Sequence, residues 1–163
     1  MSFARPASTS GTPIRVMIVD ASAVVRGMVS RWLDEADGIQ VAAIAVDGGH
    51  ALTKLAATEI DVVVMDIEMP VMSGLEALPK LLAIKPGLKV IMASTLTAKG
   101  AQVTLRALDL GASDYIAKPT AKLGGADAYR DELIQKVREL ARRPASVFRP
   151  AAMPRSVTPP TLG

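Results

Sequence analysis

The sequence predicts an α/β fold, a doubly wound five-stranded parallel sheet with helices on both faces. Three observations carry this. Short apolar runs rich in β-branched residues recur at residues 15–19, 41–46, 62–65, 90–93 and 115–117. Each run is followed by a segment whose apolar side chains return at helical spacing. The runs are apolar at successive positions rather than at alternate ones, as strands buried on both faces require. Strands that alternate with helices pair in parallel through right-handed crossovers.

The first run ends at Asp20, and Val24, Val25, Met28, Val29, Trp32 and Leu33 then place a stripe on one face of a helix that Gly38 is positioned to end. After the second run Asp47 suits a helix N-cap, followed by a helix over residues 51–57. The third run ends at Asp66 and leads to a helix over residues 75–84, closed by Pro86-Gly87. The fourth ends at Ser94 and is followed by a helix over residues 101–110, closed by Gly111. The fifth, carrying Tyr115, leads to Lys118 and then to a helix over residues 127–142, which Pro144 terminates.

A length of 163 residues fits one domain with tails. Half of the residues are hydrophobic but only 3% are aromatic, so the core must be aliphatic, with Met17, Met28, Met65, Met69, Met72 and Met92 as core or loop fillers. Trp32 is expected to pack its helix onto the core. Cysteine is absent, which excludes disulfides, thiolate metal sites and cysteine nucleophiles and favours the cytoplasm. No run approaches the roughly 18 apolar residues of a membrane span, and the N-terminus lacks the apolar core of a signal peptide, so neither membrane insertion nor export is expected.

The sequence pI of 9.4 invites a nucleic-acid reading. Of the 19 basic residues, however, Arg5, Arg143, Arg149 and Arg155 lie at the ends, which leaves 15 against 16 acidic residues in the body. No basic stripe interleaved with aromatics remains to follow a phosphate backbone, so no nucleic-acid partner is expected. Residues 1–13, rich in Ser, Thr, Pro and Gly, read as a disordered tail, and residues 143–163, with five prolines, read as a linker or tail. The folded domain is expected over residues 14–142.

In the flavodoxin-like form of such a sheet the strand order is 2-1-3-4-5, and ligands bind beyond the carboxyl ends of strands 1 and 3, where the winding reverses. Asp20, Asp66, Ser94 and Lys118 are the residues at those ends. A lone Asp at a strand end is most often a turn or cap residue. Two carboxylates, a hydroxyl and an ammonium in one crevice instead suit a hard divalent cation and a phosphoryl group. Asp66 is the expected nucleophile, and Lys118 the expected ammonium that offsets the charge of an incoming phosphoryl group. Ser-His-Asp hydrolysis is not expected, because His50 is the single histidine and stands at the start of the second helix, away from the crevice.

Val16-Met17-Ile18-Val19-Asp20, Met65-Asp66-Ile67-Glu68-Met69-Pro70, Ile91-Met92-Ala93-Ser94 and Lys118-Pro119 resemble, in order and at the right strand ends, the signatures of response-regulator receiver domains. The resemblance covers residues 14–142. It implies that Asp66 accepts phosphate from a sensor histidine kinase, that Ser94 and Lys118 bind the phosphoryl group, and that Mg2+ is held by Asp20, Asp66 and the backbone carbonyl of Glu68. It further implies that Tyr115 acts with Ser94 as a switch, that Pro119 is a cis-proline, and that output leaves through the face of helix 4, strand 5 and helix 5. The family pattern has a second acid after Asp20 that ligates the metal directly, and here Ala21 stands in its place. A methyl group cannot coordinate Mg2+, so metal binding is expected to weaken. A naturally reduced metal site and an engineered truncation both account for Ala21, and the completeness of the rest of the site favours the second.

Asp66 to Leu78, Ser94-Thr95-Leu96-Thr97 and Thr104 to Ala112 resemble, more narrowly, the receiver of chemotaxis protein-glutamate methylesterases. That resemblance implies a linker and a methylesterase-like effector after the receiver, with no enzymatic activity in the receiver itself. A stand-alone receiver and a non-phosphorylated pseudo-receiver acting as a protein-interaction module are the alternatives.

Overall fold

The computed structural model describes residues 12–69, 72–94, 98–118 and 126–143. Expectations for Pro70, Thr95-Leu96-Thr97, Pro119 and nearly all of both tails fall outside the described residues.

Strands β1 (Ile14–Val19), β2 (Ile39–Ala45), β3 (Val62–Asp66), β4 (Lys89–Ser94) and β5 (Asp114–Ala117) alternate with helices α1 (Ala23–Glu35), α2 (Gly48–Ala57), α3 (Gly74–Ile84), α4 (Ala98–Asp109) and α5 (Ala126–Arg142). The sheet order is β2-β1-β3-β4-β5, and every pairing is parallel. The expected topology is therefore the one found.

Strand periodicity divides the core into two layers. Val16 and Ile18 of β1, Val62 and Val64 of β3, Ile91 and Ala93 of β4 and Ile116 of β5 meet Val29 and Leu33 of α1 and Leu133, Val137 and Leu140 of α5. The intervening residues Met17, Val19, Val63, Met65, Val90 and Met92 meet Ala51 and Leu55 of α2, Ala77, Leu78 and Leu81 of α3 and Ala107 of α4. Trp32 packs against the first layer, its ring 6.0 Å from that of Tyr129 on α5.

The helix ends refine the sequence reading. Asp47 caps α2 as expected, accepting from the His50 amide, so the helix begins at Gly48 rather than at residue 51. Helix α1 stops at Glu35 with Ala36 as an extended C-cap, and Gly38 instead takes φ 81° in the turn into β2. Strand β2 begins two residues earlier than its densest apolar run, and its register with β1 slips by one residue between Val16 and Met17. Gly111, at φ 114°, leaves α4 in the conformation that glycine adopts most readily. Pro79 lies inside α3 on its solvent-facing side and has no amide hydrogen to donate to the preceding turn.

Candidate acidic crevice at the strand ends

The sheet order places the reversal of winding between β1 and β3, and the residues that end those strands meet there. Asp20 follows β1 and Asp66 ends β3, both in phase with the α1/α5 layer. The two carboxylic residues are only 4% and 6% exposed. From the end of β5, Lys118 reaches back so that its Nζ stands 2.9 Å from Asp66 Oδ1 and 3.6 Å from Asp20 Oδ2. Two buried carboxylates thus share one ammonium.

That imbalance sets the electrostatics. Burial pushes the Asp66 carboxyl above its usual range; the Lys118 hydrogen bond and charge and the Glu68 amide oppose the shift, while the Asp20 charge adds to it. Asp20 Oδ1 accepts from the Ser22 amide at 2.9 Å, and Arg26 Nη1 donates to the Asp20 carbonyl at 2.8 Å, so both ends of this residue are tied to α1. Ser22 also caps α1 by accepting from the Val25 amide. Tyr129 lies buried beside this region, and burial together with the Asp20 and Asp66 charges drives its phenol well above the usual range. Ala21 is exposed between Asp20 and Ser22.

Strand β3 is held from below by α3. Ser73 and Glu76 form a reciprocal capping box, and the Gly74 amide donates to the Ile67 carbonyl at 2.8 Å. A Cβ at Gly74 would stand 2.5 Å from the Asp66 carbonyl oxygen, so only glycine allows α3 to come this close.

Ser94 sits differently from the other three. In phase with Val90 and Met92, it belongs to the α2/α3/α4 layer, and its hydroxyl lies 2.9 Å from Thr104 Oγ1 of α4. Tyr115 is half exposed, with Lys136 Nζ 5.7 Å from its ring centroid and 3.1 Å from Asp114 Oδ2. Glu68 donates its amide to Asp66 Oδ1 at 3.3 Å. His50 is partly buried, and its Nδ1 accepts from the Val46 amide, which gives it a structural use. Sequence reasoning found Asp20, Asp66, Lys118 and Ser94 but missed Gly74, Arg26 and Thr104. The Ser73-x-x-Glu76 spacing was a readable signal for the first; the partners of the other two lie outside their own helices.

Among the described residues no three His, Cys, Asp or Glu side chains gather as a metal site. The donor set that is present, two buried carboxylates with one cation between them, still suits a hard divalent ion, since Mg2+ commonly takes one or two carboxylates and keeps its waters.

A doubly wound parallel sheet with this acid pair and lysine at its switch point defines a class, the response regulator receiver domains. The chain belongs to that family, whose model matches residues 16–126. Within the family it is of the chemotaxis type. It is similar to protein-glutamate methylesterase/protein-glutamine glutaminase 2 of Caulobacter vibrioides, with 71% identity over 150 residues, which are 91% of this chain and 43% of that relative. The chain thus spans less than half the length of this relative. The response regulator domain of Thermotoga maritima CheB superposes with a TM-score of 0.73 at 37% identity, over 81% of this chain and 98% of that one. A chain of the CheX-CheY-BeF3-Mg+2 complex from Borrelia burgdorferi gives 0.69 at 28% identity, over 83% and 94%.

Proposed function

We propose that Asp66 accepts a phosphoryl group from a histidine kinase and that the receiver thereby controls an effector of the methylesterase type in the cytoplasm. The observation that carries this is the buried Asp66 carboxylate with Lys118 Nζ at 2.9 Å from Oδ1. In the transfer an Asp66 oxygen bonds to phosphorus as the phosphorus–nitrogen bond of the donor breaks, and the electron pair leaves on the imidazole nitrogen. Lys118 steadies the carboxylate beforehand and pairs with the added phosphoryl charge afterwards.

Asp20, Asp66 and the Glu68 carbonyl are the groups that would hold Mg2+, which supplies charge neutralisation on the phosphoryl oxygens. Ala21 contributes no ligand atom, so this site is weakened. Leu105, 65% exposed on α4, and Tyr115, 47% exposed on β5, leave apolar surface on the α4-β5-α5 side for an effector.

The test is labelling with acetyl phosphate across a Mg2+ series, read by intact mass, for the parent chain, Asp66→Asn and Ala21→Asp. One phosphoryl group is expected on the parent at high Mg2+ and on Ala21→Asp at lower Mg2+, with none on Asp66→Asn. Silence of both parent and Ala21→Asp at every Mg2+ level would sink the proposal. It would favour an interaction module that takes no phosphate, the reading for which Ala21 is the supporting observation.

A further inference from the structure

We propose that Thr104 is a positioning residue that holds the Ser94 hydroxyl on the α4 side of the sheet, so that binding a phosphoryl group at Asp66 has to break a buried hydroxyl–hydroxyl bond anchored in α4. The inference rests on the phosphoacceptor reading of Asp66 and assigns a residue that reading leaves without a role.

The direction of the bond follows from counting protons. Ser94 Oγ and Thr104 Oγ1 are 2.9 Å apart and buried, their residues 8% and 6% exposed. Thr104 Oγ1 donates its only proton to the Gly100 carbonyl one turn back, at 2.8 Å. A carbonyl oxygen can only accept, so Thr104 has nothing left to donate and Ser94 must be the donor between the two hydroxyls. The single Ser94 proton is then committed to Thr104. A phosphoryl oxygen is also an acceptor, so Ser94 can serve it only by withdrawing from Thr104.

The sheet adds a geometric reason. Ser94 is in phase with Val90 and Met92, on the α2/α3/α4 side, whereas Asp66 is in phase with Val62 and Val64 on the other. The hydroxyl must change rotamer to reach the crevice. Thr104, β-branched and back-bonded to Gly100, offers a stiff acceptor that favours the withdrawn rotamer. One buried neutral hydrogen bond biases such a choice by about fivefold. Losing it on phosphorylation also removes a tie between β4 and α4.

The test places Thr104→Val, Thr104→Ala and Thr104→Ser in a chain carrying Ala21→Asp, so that Mg2+ is not limiting, and titrates beryllofluoride with Mg2+ by fluorine NMR. Thr104→Val is expected to bind about fivefold more tightly, Thr104→Ala to move the same way, and Thr104→Ser to restore the parent value. In a Ser94→Ala background Thr104→Val should change nothing, a result that a general loosening of α4 would not give. Folded Thr104→Val and Thr104→Ala proteins that bind no more tightly than the parent overturn the inference and leave the phosphoacceptor reading standing. Absence of binding in every variant, the Thr104 parent included, removes both.

Discussion

Replacing Gly74 by alanine is the sharpest perturbation of how the fold presents Asp66, the proposed acceptor. The new Cβ would stand 2.5 Å from the Asp66 carbonyl oxygen and 2.9 Å from Ile67 Cα, both backbone atoms that cannot swing aside. Ordinary contact begins at 3.4 Å, so, set against the 2.5 Å approach, the two segments must part by about 0.9 Å. Overpacking of this kind costs about 1–3 kcal/mol. The better helix propensity of alanine returns about 1 kcal/mol at most, and less in a first turn. A net loss of about 1–2 kcal/mol lowers Tm by about 3–8 °C in a fold of this size. The parting also moves the peptide that carries Asp66, and for the proposed phosphoryl transfer a misplacement near 1 Å costs about 100-fold in rate. Gly27 supplies the control, because a Cβ there meets nothing within 4 Å, and Gly27→Ala should stabilise the chain by about 0.5–1 kcal/mol. Thermal melts by circular dichroism and acetyl phosphate labelling rates read both effects. A Gly74→Ala protein as stable as the parent and labelled at the same rate would refute the close-approach argument.

Three further outcomes are expected. Because burial raises Asp66 above its ordinary pKa, its contribution to stability is fully present below the unfolded value near 3.8 and is lost as pH rises through the folded value; the advantage of Asp66→Asn over the parent in urea melts should therefore be larger at about pH 7 than at about pH 4. An advantage independent of pH would contradict the burial argument. Lys118→Met leaves Asp20 and Asp66 without their shared cation and should cost about 2 kcal/mol near neutral pH, discounted for the partly exposed lysine and shrinking on acidification; no loss in denaturant midpoint would mean that the ion pair is idle. Ala21→Asp restores a carboxylate beside Asp20 and should lower the half-saturating Mg2+ concentration by about tenfold or more, as titration calorimetry would register.

What the sequence displayed and what it concealed divide along physical lines. Strands β1, β3 and β4 were legible because both of their faces are buried, so Val16 to Val19, Val62 to Met65 and Val90 to Ala93 had to be continuously apolar. Strand β2 lies at an edge and alternates, Ile39 buried and Gln40 exposed, so its start was placed too late. The ends of β1, β3 and β5 delivered Asp20, Asp66 and Lys118 because topology alone brings strand termini together. Thr104 could not be found this way. Its partner Ser94 lies ten residues back in another element, and helix periodicity says which face a threonine occupies but not which hydroxyl it meets. The reach of Arg26 to the Asp20 carbonyl was hidden for the same reason, since it depends on where α1 crosses the strand end.

The two sides of the sheet give the crevice its logic. Asp20, Asp66 and Lys118 belong to the α1/α5 side, where two buried acids and one cation leave a surplus of negative charge that an added phosphoryl group would deepen. Ser94 and its partner Thr104 belong to the α4 side, where the hydroxyls are neutral and mutually satisfied. Among the described residues the ion pairs all lie on the other side, so a charge change at Asp66 does not reach α4 through them. On the proposed reading it passes through β4, by drawing the Ser94 hydroxyl across. On this argument a Ser94→Ala protein could still be phosphorylated on Asp66, since nucleophile and ammonium remain, yet the first turns of α4 should show the same amide exchange with and without phosphate. Protection that changes there on phosphorylation of Ser94→Ala would mean that the signal travels by another path.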